Sequence, residues 1–361
     1  MSRKLRIVTV VGARPQYIKL LPLHRELANL QVDHRIINTG QHYDFAMAGV
    51  FFQELKLPKP AANLAVGSGI ASEMTAKIID GCSRAFRKLA PDLVAVIGDT
   101  NSTLGGAIAA KQSGLPLAHI EAGLRCGDMS VPEELNRVVT DHISDLLFCP
   151  TPQSVANLKG EGIRKRVALT GDVLYDVLVH AKPTTSFRNS FLNKLQLAAG
   201  EYFLATIHRA DSVDNRENLS KLVTMLTSLK IPVLFPVHPR TLKNLRKFGL
   251  LTKLSDARTI RMIEPLGYRE SLAAISGSRM VLTDSGGLQR EAYFLRVPTL
   301  LLREVTEWVE INRGGGSKII GFDKALYLRG ISSRNFRFDN RNICRAGASR
   351  RIARLMADFV R

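Results

Sequence analysis

The stretch Leu93-Val94-Ala95-Val96-Ile97-Gly98-Asp99-Thr100-Asn101-Ser102 decides the fold: five apolar residues in a row, closed by Gly98-Asp99-Thr100, with helical periodicity over residues 103–111. A short, apolar, partly β-branched run of this kind reads as a strand buried on both faces, as in a parallel sheet covered by helices. The unit recurs along the chain. Residues 5–11 run into Gly12-Ala13-Arg14, 34–38 into Thr39-Gly40-Gln41-His42, 117–120 into Glu121-Ala122-Gly123, 146–149 into Pro150-Thr151 and 167–170 into Gly171-Asp172. In the second half, 202–207 lead to His208-Arg209, 233–237 to His238-Pro239, 259–263 to Glu264-Pro265, 280–283 to Asp284-Ser285-Gly286-Gly287 and 299–302 to Arg303-Glu304. Right-handed crossovers align the C-terminal loops of such strands along one sheet edge, where ligands bind.

A chain of 361 residues is long for one core, so two α/β domains are expected, residues 1–171 and 172–345, with the boundary near 171–183. Their loop-bearing edges are expected to face an interdomain cleft. Residues 350–360 read as a final amphipathic helix, within a segment 346–361 that packs back on the first domain. Hydrophobic residues at 45% and charged residues at 23% exclude a disordered or low-complexity chain. Fifty-one Lys and Arg against thirty-two Asp and Glu leave +19, which favours anionic partners. Cys82, Cys126, Cys149 and Cys344 contain no CxxC pair, so neither a zinc knuckle nor a disulfide framework is indicated, and a cytoplasmic protein is expected. The apolar run at 7–13 ends at Arg14-Pro15 and reads as a first strand, and no stretch is apolar enough for membrane insertion.

Several strand-end residues could do chemistry. Gly12-Ala13-Arg14-Pro15 opens a helix whose free amides would face an anion, with Lys19 adding a second positive contact. Asp284-Ser285-Gly286-Gly287 is the stronger anion signal, since two glycines let backbone amides approach a diphosphate closely; Glu291, one turn on, could accept ribose hydroxyls. The plain alternative is an Asp cap and a solvated Glu. Asp99 could cap a helix, Glu121 ends a strand, and Pro132-Glu133-Glu134 begins a helix, where the macrodipole accounts for acidic residues. Together, carboxylates at one edge would supply acid and base groups. His208-Arg209 and His238 close two strands and suit a leaving phosphate better than a metal, because no His pair has i, i+4 spacing. No metal and no cofactor is expected. Neither GxGxxG nor GxxxxGKS occurs. The basic stretches 240–261 (seven basic, one acidic) and 341–361 (six basic, one acidic) contain only Phe248 and Phe359 as aromatics, so nucleic-acid binding is not expected.

These residues resemble the non-hydrolysing UDP-N-acetylglucosamine 2-epimerases from Gly12 to about Trp308. The matching segments are residues 12–19, 39–42, 98–103, 119–125 with His119, 132–137 with Arg137, His208-Arg209, 236–238, 284–287 and Thr306-Glu307-Trp308. The resemblance implies two Rossmann-like doubly wound domains in the glycosyltransferase-B-like arrangement, a homodimer, and a UDP-sugar substrate without nicotinamide or metal. It assigns nucleotide binding to Arg14, Lys19, Ser285, Gly286, Gly287 and Glu291, and catalysis to Asp99, Glu121, Glu133 and His208. It also implies interconversion of UDP-GlcNAc and UDP-ManNAc through UDP elimination to 2-acetamidoglucal and re-addition, in surface-polysaccharide precursor synthesis. Proton traffic on two faces of carbon 2 calls for several carboxylates, with His208 and Arg209 serving the diphosphate.

The chain departs from the family pattern at Gln16, where many members carry Glu, at 126–131, and at Gly67-Ser68-Gly69, where a bacterial regulatory arginine aligns. Little control by a second sugar nucleotide is therefore expected. Thr306-Glu307-Trp308-Val309-Glu310 is shared with relatives acting on UDP-2,3-diacetamido-glucuronate, the alternative substrate. A UDP-sugar glycosyltransferase and a polyanion-binding protein are the readings from other classes.

Overall fold

Leu93–Ile97 is buried at every residue in the computed structural model, which describes residues 4–40, 57–339, 343 and 345–361. Gln41, His42 and Cys344 lie outside the described residues. The chain forms two units, Met1–Val177 with Arg341–Arg361, and Leu178–Asn340. The division falls inside the helix Val173–Ala181.

The first unit carries β1 (Arg6–Val11), β2 (Asp33–Asn38), β3 (Ala62–Asn63), β4 (Leu93–Ile97), β5 (Leu117–Ile120), β6 (Leu146–Cys149) and β7 (Val167–Leu169), in the order β3-β2-β1-β4-β5-β6-β7. Every pairing is parallel. Alternation along each strand feeds two cores. Ile7, Val11, Leu93, Ala95 and Ile97 pack on one face with Leu20, Leu23 and Leu27 of the helix Arg14–Asn29. Val8, Val10, Val94 and Val96 pack on the other with Ile78, Phe86, Ala107 and Ala110. Helices on both faces make the sheet doubly wound. The helix Ala348–Val360 adds Ile352, Ala353 and Met356 to the first core, and Asp176 caps it by accepting from Gly347 N and Ser349 N at 2.7 Å each.

The second unit carries β8 (Phe203–Thr206), β9 (Val233–Pro236), β10 (Ile260–Ile263), β11 (Met280–Thr283), β12 (Thr299–Leu301) and β13 (Ser317–Ile319), ordered β10-β9-β8-β11-β12-β13 and again parallel. Phe203, Ala205, Val233, Phe235 and Leu282 pack against Leu219, Leu222 and Leu226 of the helix Arg216–Thr227. The sequence yields eleven strands; β3 and β13 escape it. Ala62–Asn63 has no β-branched residue and Ser317–Ile319 is three residues long, so only pairing with β2 and β12 makes strands of them.

At the N-terminal edge of the first sheet, His34 lies 7% exposed, with Nε2 2.9 Å from Thr9 Oγ1 and Nδ1 2.9 Å from His24 Nδ1. Burial, then the neighbouring His24, pushes its pKa from 6.5 down to about 3. The folded chain refuses a proton that the unfolded chain accepts, so this contribution is intact above about pH 6.5 and is lost as pH falls toward 3. Urea unfolding should show stability dropping with a limiting slope of about 1.4 kcal/mol per pH unit from this group. His34→Gln should flatten the profile; an unchanged slope would remove His34 as its source.

Candidate active site

Each sheet has one point where the strand order reverses, between β1 and β4 in the first unit and between β8 and β11 in the second. Connections leaving such a pair diverge to opposite faces and open a crevice at the C-terminal edge. The first unit holds Arg14, Lys19, Asp99, Glu121, Glu133 and Arg137 on the segments that follow β1, β4 and β5. The second holds His208, Arg209, His238, Ser285, Gly286, Gly287 and Glu291 on those that follow β8, β9 and β11.

In the first unit Lys19 Nζ donates to Glu121 Oε2 at 2.6 Å, with side chains only 6% and 5% exposed. Sequence reading offers Lys19 to an anionic ligand; here its ammonium is engaged by the carboxylate. Glu121 has φ +70°, the left-handed region that costs a non-glycine residue about 1 kcal/mol or more. Its neighbour Gly98 has φ +72°, and a Cβ there would stand 3.6 Å from Glu121 Oε2 and 3.9 Å from Lys19 Nζ, so bare backbone walls the ion pair.

The residue after Gly98 supplies a second carboxylate. Arg137 Nη2 donates to Asp99 Oδ2 at 2.5 Å, and Nη1 to Glu134 Oε2 at 2.8 Å. Asp99 does not cap the following helix: Thr100 does, accepting from Thr103 N, which leaves the Asp99 carboxylate for Arg137. Asn136 Nδ2 fixes the Asp99 carbonyl at 2.8 Å. The two adjacent glutamates divide their roles. Glu134 is buried and accepts from Cys126 N and Gly127 N at 2.9 Å, bracing that loop, while Glu133 remains half-exposed in the first turn of the helix Pro132–Ile143.

The turn after β1 corrects an expectation. Gly12 N and Ala13 N do not await an anion, because both donate to Gln16 Oε1, at 2.8 and 3.0 Å. Gln16 Nε2 reaches across to Ile97 O at 2.7 Å and to Thr100 Oγ1 and Thr103 Oγ1 at 3.1 Å, tying β1 to β4 at the reversal. The amide suits that place, since its oxygen accepts and its nitrogen donates. Pro15 is the second helical residue.

In the second unit Asp284 is fully buried, and its Oδ2 accepts from His208 N and Arg209 N at 2.9 and 2.8 Å, with His208 Nδ1 3.5 Å from Oδ1. It braces the His208-Arg209 turn instead of capping a helix. The cap of Gly286–Phe294 is Ser285, which accepts from Leu288 N at 3.3 Å. Glu291 is 7% exposed, so it is not the solvated residue of the plain alternative. A Cβ on Gly286 would lie 2.4 Å from Glu307 Oε1, while Gly287 meets nothing closer than Ser285 Oγ at 3.7 Å, so the helix start stays open on the Gly287 side. His238 stacks near His208, with ring centroids 5.4 Å apart and tilted by 35°, and accepts from Arg240 N. Glu307 accepts from Arg303 Nη1 at 3.0 Å, and Trp308, 2% exposed, lies under Arg290 at 4.1 Å. Among the described residues no group of three or more His, Cys, Asp or Glu is placed to hold a metal ion, and no helix is long and apolar enough to cross a membrane.

The sequence profile of the family described as UDP-N-acetylglucosamine 2-epimerase matches residues 25–350. The chain belongs to that family. It is 44% identical over 332 residues to a UDP-N-acetylglucosamine 2-epimerase homolog of Methanococcus maripaludis, spanning 92% of this chain and 93% of that one. It is 40% identical to the UDP-2,3-diacetamido-2,3-dideoxy-D-glucuronate 2-epimerase of Pseudomonas aeruginosa, spanning 88% of each. The crystal structure of the Methanocaldococcus jannaschii UDP-GlcNAc 2-epimerase in complex with UDP-GlcNAc and UDP superimposes with a TM-score of 0.89 at 37% identity, covering 99% of this chain and 100% of that chain. Two parallel-sheet α/β units of glycosyltransferase-B-like epimerase type, as the sequence implies, are thereby shown. Within this family member, sequence reading missed the work of Gln16, Glu134, His119, Asp141 and Arg303. His119 carries a visible signal, a polar side chain inside a four-residue buried strand, which must find buried partners.

Proposed function

We propose that this chain is a non-hydrolysing UDP-N-acetylglucosamine 2-epimerase that converts UDP-GlcNAc to UDP-ManNAc. The observation that carries this reading is the pair of strand-end carboxylates, Glu121 and Asp99, each held by its own cation, Lys19 and Arg137. Carbon 2 of an N-acetylhexosamine has no adjacent carbonyl, so its proton leaves only as the bond from carbon 1 to UDP breaks. One carboxylate takes that proton, 2-acetamidoglucal and UDP remain bound, a second acid protonates the opposite face, and UDP adds back to carbon 1. Lys19 and Arg137 hold the two carboxylates in place, with Glu133 completing the acid and base set. The free amides at the start of Gly286–Phe294, together with His208, Arg209 and His238, stabilise the departing diphosphate, and Glu291 and Arg14 bind the rest of the nucleotide.

Incubation with UDP-GlcNAc in deuterated water tests the reading. UDP-ManNAc should form with deuterium at carbon 2, and slow leakage should release 2-acetamidoglucal and UDP. The 40% identity to the Pseudomonas enzyme, with Thr306-Glu307-Trp308, favours a second substrate for a parallel assay. Exchange only with UDP-2,3-diacetamido-glucuronate would transfer the assignment to that sugar, and no exchange with either would end the epimerase reading.

A further inference from the structure

We infer that His119 and Asp141 are positioning residues that hold the backbone turn carrying Glu121, so that they govern the proton-transfer step without touching substrate. This rests on the reading of Glu121 as an acid or base.

The geometry forms a closed loop around Glu121. His119, two residues earlier, is fully buried; its Nε2 donates to Gly98 O at 2.8 Å and its Nδ1 meets Asp141 Oδ1 at 2.6 Å. Asp141 Oδ2 accepts from Gly123 N at 3.0 Å, two residues after Glu121, and from Arg125 Nη1 at 2.7 Å. Arg125 in turn donates from Nε and Nη2 to Glu161 Oε1 and Oε2 at 2.7 and 2.8 Å. The ring therefore grips Gly98, the backbone wall of the Lys19–Glu121 pair, while the carboxylate grips Gly123 on the far side of Glu121. All three backbone positions so bracketed have left-handed φ: +72° at Gly98, +70° at Glu121 and +76° at Gly123. A turn of that kind persists only where its surroundings over-determine it.

The charges in the loop are consistent with this work. A carbonyl faces one ring nitrogen of His119 and a carboxylate the other, so the ring bridges the Gly98 and Asp141 acceptors. Burial alone would push the Asp141 carboxyl up; His119 and then Arg125 outweigh it and hold it below the usual carboxylate range. The bonds of His119 and Asp141 to this turn go to Gly98 O and Gly123 N. Their effect passes through backbone, and relaxation of the turn would move the Glu121 carboxylate against a substrate that must be met within a few tenths of an ångström.

The test is a set of kinetic measurements on the full chain. His119→Phe keeps a planar ring but loses both hydrogen bonds, and it should lower kcat for UDP-GlcNAc by about tenfold or more with KM changed less than about twofold. His119→Gln, which can still donate toward Gly98 O, should recover part of that loss. Asp141→Asn, the milder variant should His119→Phe fail to fold, should lower kcat severalfold at unchanged KM, because the amide still accepts from Gly123 N. In a Glu121→Gln background, His119→Gln should cost nothing further, since it acts through Glu121. Wild-type kcat in His119→Phe or Asp141→Asn, or full additivity of the double variant, would overturn the proposal. Wild-type turnover in Glu121→Gln alone would instead overturn the role of Glu121, so the two failures are distinguishable.

Discussion

Glu121→Gln is expected to lower turnover by about a hundredfold or more, or about 2.7 kcal/mol of transition-state stabilisation, with the fold retained. The amide is nearly isosteric and its oxygen still accepts from Lys19, which lies 2.6 Å from the native carboxylate, so the buried ammonium keeps a partner. What the amide lacks is proton affinity. Because the carboxylate is 5% exposed and its backbone is held in the left-handed region, water and neighbouring side chains do not readily replace it. Initial rates with the sugar nucleotide, alongside equilibrium binding of UDP, measure the two quantities separately, and UDP affinity should change little. A purified variant with wild-type turnover would remove Glu121 from the chemistry.

Gly123→Ala is expected to destabilise the chain by about 3 kcal/mol or more, a large share of the margin by which domains of this size stay folded. Two penalties combine. The backbone sits at φ +76°, which costs alanine about 1 kcal/mol, and the added Cβ would lie 2.3 Å from Ser154 O, 2.8 Å from Ser154 C and 3.0 Å from Leu158 Cγ. None of these can retreat cheaply. Ser154 is locked into the start of the helix Pro152–Gly160 by reciprocal bonds with Thr151, and Leu158 is fully buried. The Gly123 carbonyl is held by Asn157 Nδ2 at 2.9 Å, so the strained turn cannot swing aside as a unit. Denaturant unfolding should show a lower midpoint at an unchanged slope. A loss under about 1 kcal/mol would mean the turn repacks, and Glu121 with it.

The alternation of strand and helix, and the motifs at strand ends, are legible in the sequence because both are local. A buried parallel strand announces itself in four to six contiguous residues, and a loop that must approach a ligand announces itself by Gly, Asp or His just after it. Ser285-Gly286-Gly287 is open to such reading because one helix start contains the whole feature. So is the amphipathic helix at the C-terminus, which runs from Ala348 rather than from residue 350.

Partnership is what tertiary structure decided. Lys19 and Glu121 are 102 positions apart and meet only because β1 and β5 flank β4 in the sheet. The same strand order sends the Gln16 amide across to Ile97, filling the amides that sequence had left for an anion, and brings Arg137 to Asp99. Asp284, part of the anion signal in sequence with a helix cap as its plain alternative, reaches sideways to the His208-Arg209 turn, 75 and 76 positions away, because β8 pairs with β11. Which of Glu133 and Glu134 is buried depends on the path of the loop at Cys126 and Gly127, which no spacing reports. The physical reason is common to all of them: local periodicity fixes which face of an element is apolar, whereas the fate of a polar side chain depends on which distant donor or acceptor the sheet order brings within 3 Å of it.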